Sequence, residues 1–124
     1  MHAVILTPTF LADTKAAGLP DDEREIMISE IAKNPLGGDA IEGTGGARKM
    51  RFAGRGKGKS GGYRTVHYFA GDDVPILLLA LINKGESANL SKAERNELKR
   101  TLAGYADDYR NGVEARISQM HGGS

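Results

Sequence analysis

Apolar and polar positions in the first third of the chain predict one strand and two helices. Residues 3–6 form a short apolar run that is typical of a strand. Thr7-Pro8 then combines a helix-capping residue with a proline suited to the first helical position, and Gly18 is a natural end for that helix. Pro20 opens a second helix, with acidic residues in its first turn and apolar residues at helical spacing, which ends at Asn34-Pro35.

The middle of the chain is rich in glycine and divided into strand-sized pieces. We predict strands at about 47–53, 62–70 and 74–83, joined by the loop 54–61 and by the tight turn 70–73. The turn is short enough to make the second and third of these strands a hairpin. The third strand is apolar almost throughout, which indicates an interior position with both faces covered.

A capping pattern marks the start of the last helix. Ser91 and Glu94 have the spacing of a capping box, in which each side chain accepts a hydrogen bond from the other residue's backbone. An apolar stripe at helical spacing follows, which we expect in the core: Leu98, Leu102, Tyr105 and Tyr109. The segment from about Gly112 to residue 124 is expected to fray. Helices, then a small antiparallel sheet, then a helix predict a single α+β domain over residues 1–124.

The composition argues against several classes of protein. The 124 residues contain no cysteine, which excludes disulfides and thiolate metal sites. The longest apolar run, residues 75–82, is much shorter than the roughly 20 residues of a membrane helix, and the first ten residues lack the features of a secretory signal. We therefore expect a soluble, cytoplasmic protein that does not contact membranes. His2 and His121 belong to no cluster, so no metal site and no cofactor are predicted.

Charge is segregated along the chain although the net charge is only +1. Residues 1–42 carry three basic and eight acidic side chains, and residues 72–124 carry seven and eight. Residues 43–71 carry no acid and seven basic side chains: Arg48, Lys49, Arg51, Arg55, Lys57, Lys59 and Arg64. Such a basic block is typical of a surface that binds a polyanion. The alternative is a solvated basic loop.

The stretch "AGRGKGKSGGYR", residues 53–64, alternates glycines with cations and loosely fits the phosphate loop of nucleotide-hydrolysing enzymes. That loop needs a helix directly after it, whereas the sequence that follows, "GGYRTVHYF", alternates like a strand. A basic loop between two strands suits the backbone of a nucleic acid better than a single nucleotide. Its glycines permit close approach, and Lys57 and Lys59 can point the same way from an extended segment.

Alternation along the strand after this loop separates two groups of side chains. Arg64, Val66 and Tyr68 are predicted on one face, and Thr65, His67 and Phe69 on the other. Arg64 is then on the same rim as the basic loop. His67 is the rival candidate for acid–base chemistry, but its position on the opposite face favours a structural histidine. Tyr63 and Tyr68 suit either stacking on an RNA base or packing in the core.

Two longer segments resemble a known family. "NPLGGDAIEGTGGARKMRF" and "GRGKGKSGGYRTVHYF" are similar to the RelE-like toxins of bacterial toxin–antitoxin systems, above all to their HigB-type branch. The similarity continues through "LLLALINKGESANLSKAERNELK" and spans roughly residues 1–110. The resemblance implies N-terminal helices packed on a small twisted antiparallel sheet, with a C-terminal helix. It also implies a ribonuclease that cuts messenger RNA, typically in the ribosomal decoding site, and an antitoxin partner, expected to be a helix-turn-helix, HigA-like protein.

The resemblance also implies where the site lies, because RelE-type enzymes use a metal-free cluster of lysine and arginine on the sheet. By motif match, the predicted catalytic residues are Lys57, Lys59 and Arg64. The predicted nucleic-acid contacts are Arg48, Lys49, Arg55, Tyr68 and Lys84. RelE proper has a tyrosine in the segment that here is "ESANLSK", and this chain has none there. The role of that tyrosine must be filled by another group or be absent.

Metal-free cleavage of RNA needs an activated ribose 2′-OH, stabilised charge around phosphorus and a proton for the leaving 5′-oxygen. Arg64 suits the charge, because a guanidinium binds two phosphate oxygens at once. Neighbouring cations lower the pKa of a lysine, so one of Lys57 and Lys59 would be the base and the other the acid. Two alternatives stay open: a toxin of the same fold that inhibits DNA gyrase, as in the ParE branch, and an RNA-binding module without chemistry.

Overall fold

The structure, a computed structural model, describes residues 2–53, 62–83 and 90–122. Five strands and three helices follow one another in this part of the chain. They are β1 (Val4–Leu6), α1 (Pro8–Ala17), α2 (Asp21–Lys33), β2 (Asp39–Ala40), β3 (Ala47–Phe52), β4 (Tyr63–Tyr68), β5 (Ile76–Asn83) and α3 (Lys92–Gly122). The predicted α+β class is confirmed, and the predicted strands agree with β1, β3, β4 and β5 to within about two residues. The two-residue strand β2 was not predicted.

The strands form one sheet in the order β1-β5-β4-β3-β2. Strands β2 to β5 pair antiparallel, and β4 and β5 make the predicted hairpin. The prediction of an antiparallel sheet needs one correction, because β1 pairs parallel to β5 and the sheet is mixed. Thr7 fixes this pairing: its backbone N–H and its hydroxyl both donate to the carbonyl of Leu78, at 3.2 and 2.9 Å. A parallel partner so distant in sequence leaves no local pattern from which to predict it.

One apolar cluster lies on each face of the sheet. On the first face, α1 and α2 contribute Phe10, Met27 and Ile31, which pack with Ile76 and Leu78 of β5. On the second face, α3 packs against the sheet; the members of that cluster are Ile41, Ala47, Val66, Tyr68, Leu102 and Ala106. Strand β5 contributes to both clusters, as its nearly continuous apolar sequence predicts.

Local caps begin α1 and α3, and end α1, at the predicted places. The Thr7 hydroxyl accepts a hydrogen bond from the backbone of Phe10 at 3.2 Å, and α1 ends at Gly18 in the left-handed conformation. The capping box of α3 is present, because Ser91 and Glu94 exchange side-chain to backbone hydrogen bonds of 3.0 and 3.2 Å. The backbone of α3 is helical to Gly122, and fraying of its end in solution stays a prediction.

Two polar contacts attach α3 to the sheet far from its start. The Tyr105 hydroxyl donates to the carbonyl of Pro75 at 2.9 Å. Arg110 binds both carboxylate oxygens of Asp73, at 2.7 and 3.1 Å, in the turn between β4 and β5. A bidentate pair of this kind fixes orientation as well as distance. Both contacts therefore fix the later part of α3 beside the turn between β4 and β5.

Candidate nucleic-acid interface

Three cationic side chains lie together on the α3 side of the sheet. Arg51 of β3 is directly opposite Arg64 of β4 in the antiparallel register. Lys49 lies two residues before Arg51 and is opposite Val66, which packs under α3. Successive side chains of a strand alternate between faces, so Lys49, Arg51 and Arg64 share the face on which α3 packs. We call these three residues the basic surface.

The basic surface is accessible and has no anionic partner among the residues that the structure describes. Arg51 is exposed, and Lys49 and Arg64 are half-buried. None of the three forms an ion pair within the described ranges, although Asp39 is opposite Lys49 in the β2–β3 register. Like charges directly opposite one another destabilise a sheet. The Arg51–Arg64 pair is therefore costly in the free chain, and an anion bound between the two guanidinium groups would relieve that cost.

Two of the predicted nucleic-acid contacts have structural partners in this chain. Arg48 lies on the face opposite the basic surface, where its guanidinium donates to the carbonyls of Gly37 and Gly38 at 3.2 and 3.0 Å. Tyr68 is 7% exposed, and its ring packs edge-on against Tyr105 with centroids 6.4 Å apart. The Arg48 hydrogen bonds hold the turn before β2, and the Tyr68 ring is part of the core under α3. A role of either residue in binding RNA stays a prediction.

The remaining predicted residues, Arg55, Lys57, Lys59 and Lys84, lie outside the described residues. The strand ends on either side of the loop 54–61 nevertheless show where the chain enters and leaves that loop. Phe52 and Tyr63 are cross-strand partners next to the Arg51–Arg64 pair. The chain therefore leaves β3 and returns to β4 beside the basic surface.

Arg51 is a candidate to which the sequence analysis assigned no role. The available signal was the alternation of "RKMRF", which places Lys49 and Arg51 on one face and Arg48 on the other. Combined with the pairing of this strand with "YRTVHY", that alternation would have brought Arg51 opposite Arg64. Lys57, Lys59 and Arg64 were selected by motif match, and alternation was not used to choose among Arg48, Lys49 and Arg51.

His67 lies in the core on the face opposite the basic surface, where alternation places it. The side chain is fully buried, and the ring Nε2–H donates to the carbonyl of Pro35 at 2.8 Å. The pKa of His67 lies below its ordinary value, and burial is the largest cause. The hydrogen bond to Pro35 raises the pKa, and the nearby charge of Arg48 lowers it further. His67 is therefore a neutral structural residue in the folded chain.

We expect the buried His67 to make the folded chain less stable in mild acid. Its pKa is lower in the folded chain than the ordinary 6.5 of the unfolded chain, so between these values the unfolded chain binds an extra proton. The contribution of His67 to the free energy of unfolding should be constant above about pH 6.5. Below that pH it should fall, by at most about 1.4 kcal/mol for each pH unit. Urea unfolding at pH 7.5 and 5.5 measures the fall, and His67→Gln should remove that part of it. An unchanged fall in the variant would contradict this assignment.

The sequence of this chain matches a known family over most of its length. The model of the family described as "RelE toxin of RelE / RelB toxin-antitoxin system" matches residues 3–121. The chain belongs to the RelE toxin family. RelE toxins pair with an antitoxin and are generally endoribonucleases that cut messenger RNA and inhibit translation. The described part of this toxin contains no helix that is both long and apolar enough to cross a membrane.

Among the described residues, the side chains form no group of three or more histidines, aspartates and glutamates suited to a metal ion. The chemistry that the described surface offers is positive charge supplied by arginine and lysine. Two guanidinium groups and one ammonium group on a single face can bind and orient a phosphodiester and stabilise negative charge that develops on it. The strongest described feature of the site is therefore a cationic surface on β3 and β4 whose chemistry suits an anion.

Proposed function

We propose that this toxin is a metal-independent endoribonuclease that cuts messenger RNA, with the scissile phosphate bound between Arg51 and Arg64. The observation that carries the proposal is the direct cross-strand pairing of these two arginines, which have no carboxylate partner within the described residues. The bidentate geometry of a guanidinium matches two phosphate oxygens. Membership of the RelE family makes messenger RNA the expected source of that phosphate.

The proposed reaction has three parts. A base takes the proton of the ribose 2′-OH, the 2′-oxygen attacks phosphorus, and the bond to the 5′-oxygen breaks as an acid gives that oxygen a proton. Arg51 and Arg64 stabilise the extra negative charge on the phosphate oxygens in the transition state. Lys49 is on the same face, one side-chain position along β3. Lys57 and Lys59, which follow β3, remain the proposed base and acid.

The biological setting is proposed by resemblance. We infer that cleavage takes place in the decoding site of ribosomes in the cytoplasm, and that the toxin belongs to the HigB-type branch. The antitoxin is then a helix-turn-helix, HigA-like protein. None of these features follows from the geometry of the basic surface. All of them rest on the sequence segments around the glycine-rich turn and the basic loop.

Two assays run in parallel separate the proposed function from its main alternative. Purified toxin, freed from antitoxin, is added to a purified translation system and to a DNA gyrase supercoiling assay. We expect synthesis of the reporter protein to stop as its message is cut, and supercoiling to continue unchanged. Inhibited supercoiling with an intact message would support the gyrase-directed alternative. Binding to RNA with neither effect would support an RNA-binding module.

A further inference from the structure

The glycine-rich turn between β2 and β3 packs against two cationic side chains of α3. Arg95 and Lys99 are one helical turn apart. A Cβ atom at Gly43 would lie 3.6 Å from Cβ and Cδ of Arg95, and one at Gly45 would lie 3.3 Å from Cγ of Lys99. A methyl group on either glycine would therefore touch the aliphatic part of one of these side chains, so the turn lies next to both. Long cationic side chains commonly pack their aliphatic parts on a neighbouring surface in this way.

These two cations form one flank of α3, and the acidic residues of its first two turns lie on another side. Glu94 and Glu97 line a shallow groove with Leu90, Leu98 and Thr101. Arg95 is half-buried and Lys99 is exposed, and neither forms an ion pair within the described part of the chain. The Nε of Arg95 is buried without a hydrogen-bond partner among the described residues. We call Arg95, Lys99 and the turn 42–46 the basic flank.

The basic flank is on the same side of the sheet as the basic surface. Ala47, two residues beyond Gly45, packs under α3 in the same cluster as Leu102. Lys49 and Arg51 continue from Ala47 along the same face of β3. Strand β3 carries the chain from Ala47, at the edge of the turn, to Arg51 four residues further on, which corresponds to about 13 Å. A single nucleic-acid strand several nucleotides long can therefore contact both regions.

We propose that the basic flank binds the sugar–phosphate backbone of the RNA on one side of the cleavage position. This inference rests on the proposed function, because it extends the surface that binds the scissile phosphate. RNA is favoured over an acidic protein segment because the flank has cations and a glycine turn and no exposed large apolar side chain. Phosphate contacts require charge and backbone N–H groups alone, whereas protein interfaces are usually centred on a buried apolar or aromatic anchor. The acids beside these cations are Glu42, in the turn itself, and Glu94, next to Arg95 in sequence. Neither forms an ion pair with Arg95 or Lys99 in the described ranges.

The flank increases the affinity of the toxin for RNA and takes no part in breaking the phosphodiester bond. Each phosphate that a cation neutralises on a single strand adds about 0.7 to the slope of log K against log salt. Removing Arg95 and Lys99 should therefore weaken RNA binding and make it less dependent on salt. The rate of the chemical step at saturating RNA should not change, because the scissile phosphate is held elsewhere.

The test compares two double variants that lose the same charge. Arg95→Gln with Lys99→Gln removes the flank cations but keeps polar side chains of similar length. Lys33→Gln with Arg100→Gln removes two exposed cations elsewhere, one at the end of α2 and one on another side of α3. Binding of a 2′-O-methyl RNA of 16 nucleotides, which the proposed reaction cannot cut, is measured by fluorescence anisotropy at several salt concentrations. Cleavage at saturating message is measured separately, and thermal unfolding verifies that each variant is folded.

We expect the flank variant to lose at least about tenfold in affinity at low salt, with a slope smaller by about 1.4, and the control to bind like the wild type. Equal slopes in the flank variant and the wild type would overturn the inference. So would unchanged RNA binding together with weaker binding of the antitoxin, which would identify an acidic protein segment as the occupant. If the wild type binds RNA with the predicted difference between variants but cuts no message, the flank assignment stands and the proposed nuclease function fails.

Discussion

Replacing Arg64 with alanine should reduce the rate of messenger RNA cleavage at least about 100-fold while the toxin remains folded. Arg64 is half-buried, is opposite Arg51 and has no described ion-pair partner. In the proposed mechanism, its loss leaves the developing charge on the phosphate without one of its two bidentate donors. Removal of a single donor aimed at transition-state charge commonly costs 100-fold to 1,000-fold in rate. The single-turnover rate at saturating message measures the effect on chemistry without the effect on binding.

Three companion variants make this prediction specific. Arg64→Lys keeps the charge but loses the planar, two-pronged geometry, so its rate should lie between those of the wild type and Arg64→Ala. Arg51→Ala should lose at least about tenfold, as expected for a charge-assisted hydrogen bond to phosphate. Lys33→Ala removes an exposed cation at the end of α2, in the layer on the other face of the sheet, and should not change the rate. Equal rates for Arg64→Ala and Lys33→Ala would contradict the assignment of the basic surface.

Replacing Gly38 with alanine should destabilise the fold by about 2–5 kcal/mol. Gly38 has a φ of +75°, and an added Cβ would overlap the backbone carbonyl of Lys49 and lie 2.7 Å from Cγ of Met50. The carbonyl of Gly38 also accepts the hydrogen bond from Arg48. The substitution therefore combines the cost of the left-handed conformation with forced separation of β2 from β3. Urea unfolding at neutral pH measures the loss in the free energy of unfolding.

Gly18→Ala is the matched control for this effect. Gly18 ends α1 with a φ of +66°, and a Cβ at that position would have no atom within 4 Å. Its cost should be limited to the left-handed conformation, roughly 1–2 kcal/mol. Equal destabilisation by the two substitutions would show that the close approach of Gly38 to β3 does not limit stability. The Gly38 variant should also lose cleavage activity, because the displaced backbone belongs to Lys49 in the basic surface.

Local sequence rules were sufficient for the helices and most of the sheet. Thr7, Gly18 and the Ser91–Glu94 pair define helix ends through contacts within four residues, so the sequence alone indicates them. The apolar run of β5 likewise indicated a strand covered on both faces. The parallel pairing of β1 with β5 was missed because it joins residues more than 70 positions apart. The pattern of residues within β1 or within β5 does not show which other strand each one pairs with.

The same distinction applies to the candidate site. Arg64 and Lys49 were identified from the basic segment, but their grouping with Arg51 depends on the register between β3 and β4. Arg48, adjacent to Lys49 in sequence, faces the other way and binds the carbonyls before β2. A count of cations cannot separate these neighbours. The strand geometry separates them, because a shift of one residue moves a side chain to the opposite face.

The central claim, cleavage of messenger RNA by this toxin, is tested most directly by mapping cuts on a defined message in a purified translation system. The folded wild-type toxin, freed from antitoxin, is added with and without ribosomes, and the new RNA ends are located at single-nucleotide precision. We predict cuts in the decoding site that require ribosomes. Cuts on free RNA would keep the nuclease and remove the decoding-site setting. No cuts in either sample would contradict the proposed function.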